Sequence, residues 1–202
     1  MKLFITSPHS VCSVQPAKFD SNDKIKKLIA KHPCDKHADL AANTLYEYLQ
    51  KNTKNLCELL QATHSRIQHD HNRDPKKQET QDTEFLNEFK SKLPGTDIHL
   101  DIHSYPGLEG LTGEKDDVYI IDVSGYSREG KTREKNKWLV TSLKLYLLSK
   151  NIKCSVYVSN AFNFLSIGAI ENNINSLLIE FNEKLSEEKV KNICEITGEW
   201  LS

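Results

Sequence analysis

Short β-type runs alternate with longer helical patterns along the whole chain, and this order restricts the fold more than any other feature of the sequence. Apolar or β-rich runs at residues 3–6, 57–62, 98–103, 118–123, 154–158 and 177–181 suit buried strands. Between them, residues 39–50, 134–148 and 186–200 carry helical periodicity. Leu40, Leu45, Tyr48 and Leu49 fall on one face of the first helix; Trp138, Val140, Leu143, Leu145, Tyr146 and Leu147 form a broad face on the second. Ser186 stands as N-cap before Glu187 and Glu188 on the third. The alternation predicts an α/β fold, with a mixed, mostly parallel central sheet flanked by helices.

At 202 residues the chain fits one domain, taken as residues 1–202, with enough length to bury a core without staples. A net charge of −1 gives no electrostatic reason to expect nucleic acid or an anionic membrane as partner. A small molecule or short peptide is expected instead. No run reaches the roughly 18 apolar residues of a membrane span, and the N-terminal apolar run is too short for a signal segment. Five cysteines at irregular spacings, with no CxxC pair, read as reduced packing residues of a cytoplasmic protein. Residues 74–83 and the glycine-bearing stretch 106–117 are expected as surface loops, the second as a flap.

Five short segments at or near strand ends carry the chemistry, where open α/β sheets place their ligand crevices. His9, in Ser7-Pro8-His9-Ser10, follows the first strand and suits a metal ligand or an ordinary polar loop residue. Asp35 and Asp39 lie at the start of the first helix, where either caps it or serves as a rigid metal ligand. Residues 66–74 combine Arg66, His69, His71, Asn72 and Arg73, suited to an anion clamp or to a solvated basic turn. Asp97, His99, Asp101 and His103 alternate with Ile98, Leu100 and Ile102, which makes one strand face ionisable. Asp101 is placed to orient a metal-bound His103, although an exposed edge strand would alternate in the same way. Glu180 interrupts the last apolar strand, and a carboxylate there is paired, catalytic or at a solvent-facing end.

In order and spacing these segments resemble the motif series of the N-formylglutamate amidohydrolase family, whose fold is that of the zinc-dependent exopeptidases. Ser7-Pro8-His9-Ser10 resembles its first histidine motif, Asp35 and Asp39 its paired acids, and Asp70-His71-Asn72-Arg73-Asp74 its Asp-x-Asn-Arg-Asp. Asp101-Ile102-His103-Ser104 resembles its Asp-x-His-Ser, and Ile179-Glu180-Phe181-Asn182 its late Ile-Glu-x-Asn.

The resemblance implies one zinc ion held by His9, His103 and Asp39, the last preferred to Asp35 because it keeps its place before Leu40-Ala41-Ala42 under every alignment. It also implies Glu180 as general base, Arg66 at the developing oxyanion, and Asn72, Arg73 and Ser104 on the substrate. The expected activity is hydrolysis of an N-acyl amino acid such as N-formylglutamate. A carboxypeptidase-like exopeptidase and a non-catalytic binding relative are the alternatives. Three positions depart from the family pattern. Val11 replaces a glycine, Glu183 replaces an arginine, and Cys12, three residues after His9, is a rival third ligand.

Overall fold

The computed structural model describes residues 1–9, 34–63, 71, 83–105, 116–158 and 163–202. Among these residues, six strands, β1 (Lys2–Ser7), β2 (Leu56–Gln61), β3 (Ile98–Tyr105), β4 (Val118–Asp122), β5 (Cys154–Val158) and β6 (Asn175–Asn182), form one sheet in the order β2-β1-β3-β6-β4-β5. All neighbouring pairs are parallel except β4 with β6. This is the mixed, mostly parallel α/β sheet that the alternation predicts, and each expected run lies at one of its strands.

Among the described residues, five α-helices flank the sheet: α1 (Ala38–Asn52), α2 (Thr83–Lys92), α3 (Gly130–Ser149), α4 (Phe164–Glu171) and α5 (Glu187–Leu201). Alternation along each strand divides the sheet into two unlike faces. One carries Leu3, Ile5, Leu100, Ile102, Val118, Ile120, Leu177 and Ile179 and packs on α1, α3 and α5 as the main core. The other carries Phe4, which joins α2 and α4 through Phe85, Phe89, Leu165 and Ala169 in a smaller core. On this second face lie the polar residues of β3.

The N-cap at Ser186 forms as expected, its Oγ accepting from Lys189 N at 3.3 Å. The broad apolar face expected on α3 does not. Asn136, Leu139, Val140, Leu143 and Leu147 are buried, at a strict helical spacing, while Trp138 and Leu145 are 66% and 60% exposed. Leu145 and Trp138 lie seven residues apart, so a single rotation of the helix removes both from the core. The helices α2 and α4 lie where the sequence pattern predicts no element.

Among the described residues, no helix is long and apolar enough to cross a membrane. Cys57, Cys154 and Cys194 are free and buried, as expected, and burial pushes the Cys57 and Cys154 thiols up to about 12. Such thiols remain protonated and inert at neutral pH. Cys34 is disulfide-bonded, which corrects the expectation of a reduced thiol at that position. Most of the expected 106–117 flap, residues 106–115, and most of the expected 74–83 loop, residues 74–82, lie outside the described residues. Thr83, the last residue of that loop, instead begins α2.

Candidate metal centre

β1, β3 and β6 run parallel, so their C-terminal ends meet on one edge of the sheet. His9 lies just beyond β1, and His103 near the end of β3. The chain returns to this edge at residues 34–37, where Asp35 N donates to His9 O at 3.0 Å and Asp35 O accepts from Ala38 N at the start of α1. This turn is also held from the far side. Lys36 N and Ser104 Oγ both donate to Glu183 Oε1, at 3.0 and 2.9 Å, and His37 N donates to Ser104 Oγ at 3.2 Å. His37 Nε2 adds contacts of 3.2 and 3.1 Å to the carbonyls of Glu183 and Leu185.

The result is a buried cluster of His9, Asp35 and His103, whose candidate donor atoms all lie within 4.8 Å of one another. Asp35 Oδ2 is 2.8 Å from His103 Nδ1 and 3.3 Å from His9 Nδ1. The three residues are at most 5% exposed. Burial opposes ionisation of Asp35, but the two histidines outweigh it and hold its carboxyl well below the usual carboxylate range. Burial likewise disfavours the charged form of His103, yet Asp101 and Asp35 on its two ring nitrogens raise its pKa well above the ordinary value. Two imidazoles and one carboxylate, converging in a buried cluster, match the donor set of a catalytic zinc site, and these residues fit such an ion.

Asp39, the expected acid ligand, is elsewhere. It lies on the exposed side of α1, where its Oδ1 accepts from Asn43 Nδ2 at 3.1 Å and from Gln61 Nε2. Asp35 lies in the turn before α1, whereas Asp39 lies within the helix's first turn on its solvent side, so only Asp35 reaches the histidines. Its constant place beside Leu40-Ala41-Ala42 reflects the start of the helix. Ser104 is buried with its hydroxyl bonded to Glu183 and His37, and so supports the turn that carries Asp35.

Glu180 lies in β6 in register with His103 of β3 and with Tyr119 of β4. Register partners leave a sheet on the same face, so Glu180 shares the face of the cluster, half-buried beside it. A row of rings continues from there, with Tyr119 4.6 Å from Tyr105 and 4.9 Å from Tyr157 between centroids. No feature of the sequence singled out these tyrosines. They come together only because β4 enters the sheet antiparallel beside β6.

β3 is an interior strand rather than an exposed edge; His99, Asp101 and His103 on its ionisable face are buried, whereas Asp97 lies before the strand and is exposed. Asp101 Oδ1 lies 3.3 Å from His103 Nε2, the orienting contact that its spacing anticipated. His71 is buried, stacked at 4.3 Å on Phe85 with Nδ1 3.1 Å from Pro8 O, and so is neither a surface histidine nor part of the metal cluster. Arg66, His69, Asn72, Arg73, Val11 and Cys12 lie outside the described residues.

No protein-family model and no curated protein matches the sequence. Solved structures do match along nearly the full chain. The gene product Atu2144 from Agrobacterium tumefaciens is similar with a TM-score of 0.62 at 12% identity, over 99% of this chain and 90% of that one. An N-formylglutamate amidohydrolase from Ralstonia eutropha JMP134 gives 0.58 at 18% identity, over 98% and 92%. The CwlD amidase from Clostridioides difficile, solved with the GerS lipoprotein, gives 0.58 at 17% identity, over 100% and 98%. At these identities the likeness establishes the fold alone, the mixed α/β architecture that these structures share. Within that class, the N-formylglutamate amidohydrolase named by the motif series is among the structures that share it.

Proposed function

We propose that this chain is a metal-dependent hydrolase of amide bonds, with zinc held by His9, Asp35 and His103 and with Glu180 as general base. The observation that carries this reading is the convergence of the three buried donors at the C-terminal edge of the sheet, with Glu180 one strand away on the same face. A zinc ion there would polarise the scissile carbonyl and bring the pKa of water toward neutrality. Glu180 takes the proton from the attacking water and returns it to the leaving amine. Asp101 holds His103 through Nε2 and keeps Nδ1 directed at the cluster. Arg73 with Asn72 anchors a substrate carboxylate, and Arg66 stabilises the developing oxyanion. The substrate class is a small carboxylate-bearing N-acyl amino acid or short peptide, N-formylglutamate being the case that the motif series suggests.

The test is metal analysis of the purified protein beside turnover of a panel of N-acyl amino acids and dipeptides. About one zinc per chain, with activity lost to a chelator and restored by zinc, is the expected result. Turnover that is indifferent to chelation and to Glu180→Gln would overturn the reading.

A further inference from the structure

Beneath His103, five fully buried polar residues form a continuous network on the second face of the sheet: Thr6, His99, Asp101, Ser166 and Ser176. Thr6 is the register partner of Asp101, and its Oγ1 lies 2.8 Å from Asp101 Oδ1 and 2.9 Å from His99 Nε2. Ser166 Oγ, on α4, donates to Asp101 Oδ2 at 2.8 Å. His99 Nδ1 lies 2.9 Å from Ser176 Oγ.

Counting hydrogens gives the network a direction. A hydroxyl has one proton to donate, and the Asp101 carboxylate, which can only accept, takes that of Thr6. The Thr6 oxygen therefore accepts from His99, so His99 is protonated on Nε2. Its Nδ1 then accepts the proton of Ser176. Asp101 thus accepts from Thr6 at Oδ1 and from Ser166 at Oδ2, and its Oδ1 also lies 3.3 Å from His103 Nε2. That contact requires a proton on Nε2 and leaves Nδ1 as the nitrogen presented to His9 and Asp35. An apolar set of side chains would fill this space without the desolvation cost of five polar groups. What the polar set adds is a fixed orientation of one imidazole.

We propose that Thr6 is a positioning residue of the metal centre: its hydroxyl, with its own direction set by neutral His99, fixes Asp101 against His103 Nε2 and so aims His103 Nδ1 at the ion. The inference rests on the metal-dependent reading given above and deepens it at that same site.

The experiment compares the metal-free wild-type chain with Thr6→Val, which keeps the shape and removes the hydroxyl, and with Thr6→Ser, which restores it. Zinc affinity is measured by competition with a chromogenic chelator, and ligand geometry by the visible absorption of the cobalt-loaded protein. Circular dichroism reports on folding. Thr6→Val should bind zinc about 10–100-fold more weakly with an altered cobalt spectrum, and Thr6→Ser should return both to near wild-type values. Wild-type affinity and spectrum in Thr6→Val overturn the proposal, as does a Thr6→Ser protein as weak as Thr6→Val. If Thr6→Val does not fold, Ser166→Ala removes the donor to the other Asp101 oxygen and should weaken zinc in the same sense; unchanged affinity there overturns the proposal. A wild-type chain that binds neither ion overturns the metal-dependent reading itself and this inference with it.

Discussion

Glu180 and His103 are register partners on adjacent parallel strands, so the carboxylate and the imidazole leave the sheet side by side on the same face. In the proposed mechanism, a base one strand removed from the metal-binding histidine reaches the same water without entering the ligand set. Glu180→Gln keeps size and hydrogen bonding and removes the proton acceptor. Turnover should fall by about two to four orders of magnitude, with zinc content unchanged. Loss of zinc would make Glu180 a ligand, and near-normal turnover would pass the base's role to another group.

Asp35 and Asp39 separate the site from the helix that follows it. Asp35→Asn should weaken zinc by more than the roughly 10–100-fold that loss of an outer partner costs, whereas Asp39→Asn should bind zinc as the wild type does. Because the raised pKa of His103 keeps a proton on the ring in competition with the metal, zinc affinity in the wild type should also weaken as pH falls. Equal loss in both variants, read by chelator competition, would return the third ligand to question.

Arg73 is testable by kinetics. A charged hydrogen bond made equally in ground and transition states appears in binding, so Arg73→Ala should raise KM for carboxylate-bearing substrates about 10–100-fold with kcat little altered. An unchanged KM would leave Arg73 as part of a solvated turn.

How far the sequence reveals the fold and site depends on whether the information is local. Strand positions were legible because buried parallel strands are short apolar runs, and His103 with Asp101 was legible because strand alternation is fixed at two residues. The third donor of the cluster was not. Asp35 and Asp39 differ only in whether they precede or enter α1, and that boundary depends on contacts of the turn with Glu183 and Ser104, which are distant in sequence. Glu183 was legible as a departure from the family pattern, but its service to that turn was not. The outward side of α3 misled because Trp138 and Leu145 are apolar and exposed, and composition does not distinguish them from core. Thr6 and Ser166 carried no local signal. Their role exists only where β1, β3 and α4 meet.

Gly198 on α5 packs against the ring of Tyr48 on α1, and a Cβ added there would overlap the ring at Cδ1 and Cε1. Gly198→Ala should therefore destabilise by about 1–3 kcal/mol despite the better helix propensity of alanine. Tm should fall by about 2–4 °C for each kcal/mol. Truncation of the ring in the Tyr48→Ala background should remove most of the penalty, and independent, additive losses would exclude the clash as its cause.

The last prediction concerns pH and His99. Burial holds its pKa down at about 4, outweighing the pull of Asp101, while the unfolded chain titrates near the ordinary 6.5. Between those values the unfolded state binds more protons than the folded one, so stability rises with pH across the window and is lost as pH falls from about 6.5 toward 4. The other shifted groups of the network act elsewhere. Asp101, held down to about 2, keeps its contribution until pH falls below the ordinary carboxylate range. His103, with a raised pKa, contributes fully below 6.5 and loses its share only as pH rises through its folded value. Urea unfolding of the metal-free protein at a series of pH values should therefore show a decline in stability between about 6.5 and 4 that is absent from His99→Gln, which has no ring to protonate. An equal decline in both proteins would remove His99 as its source.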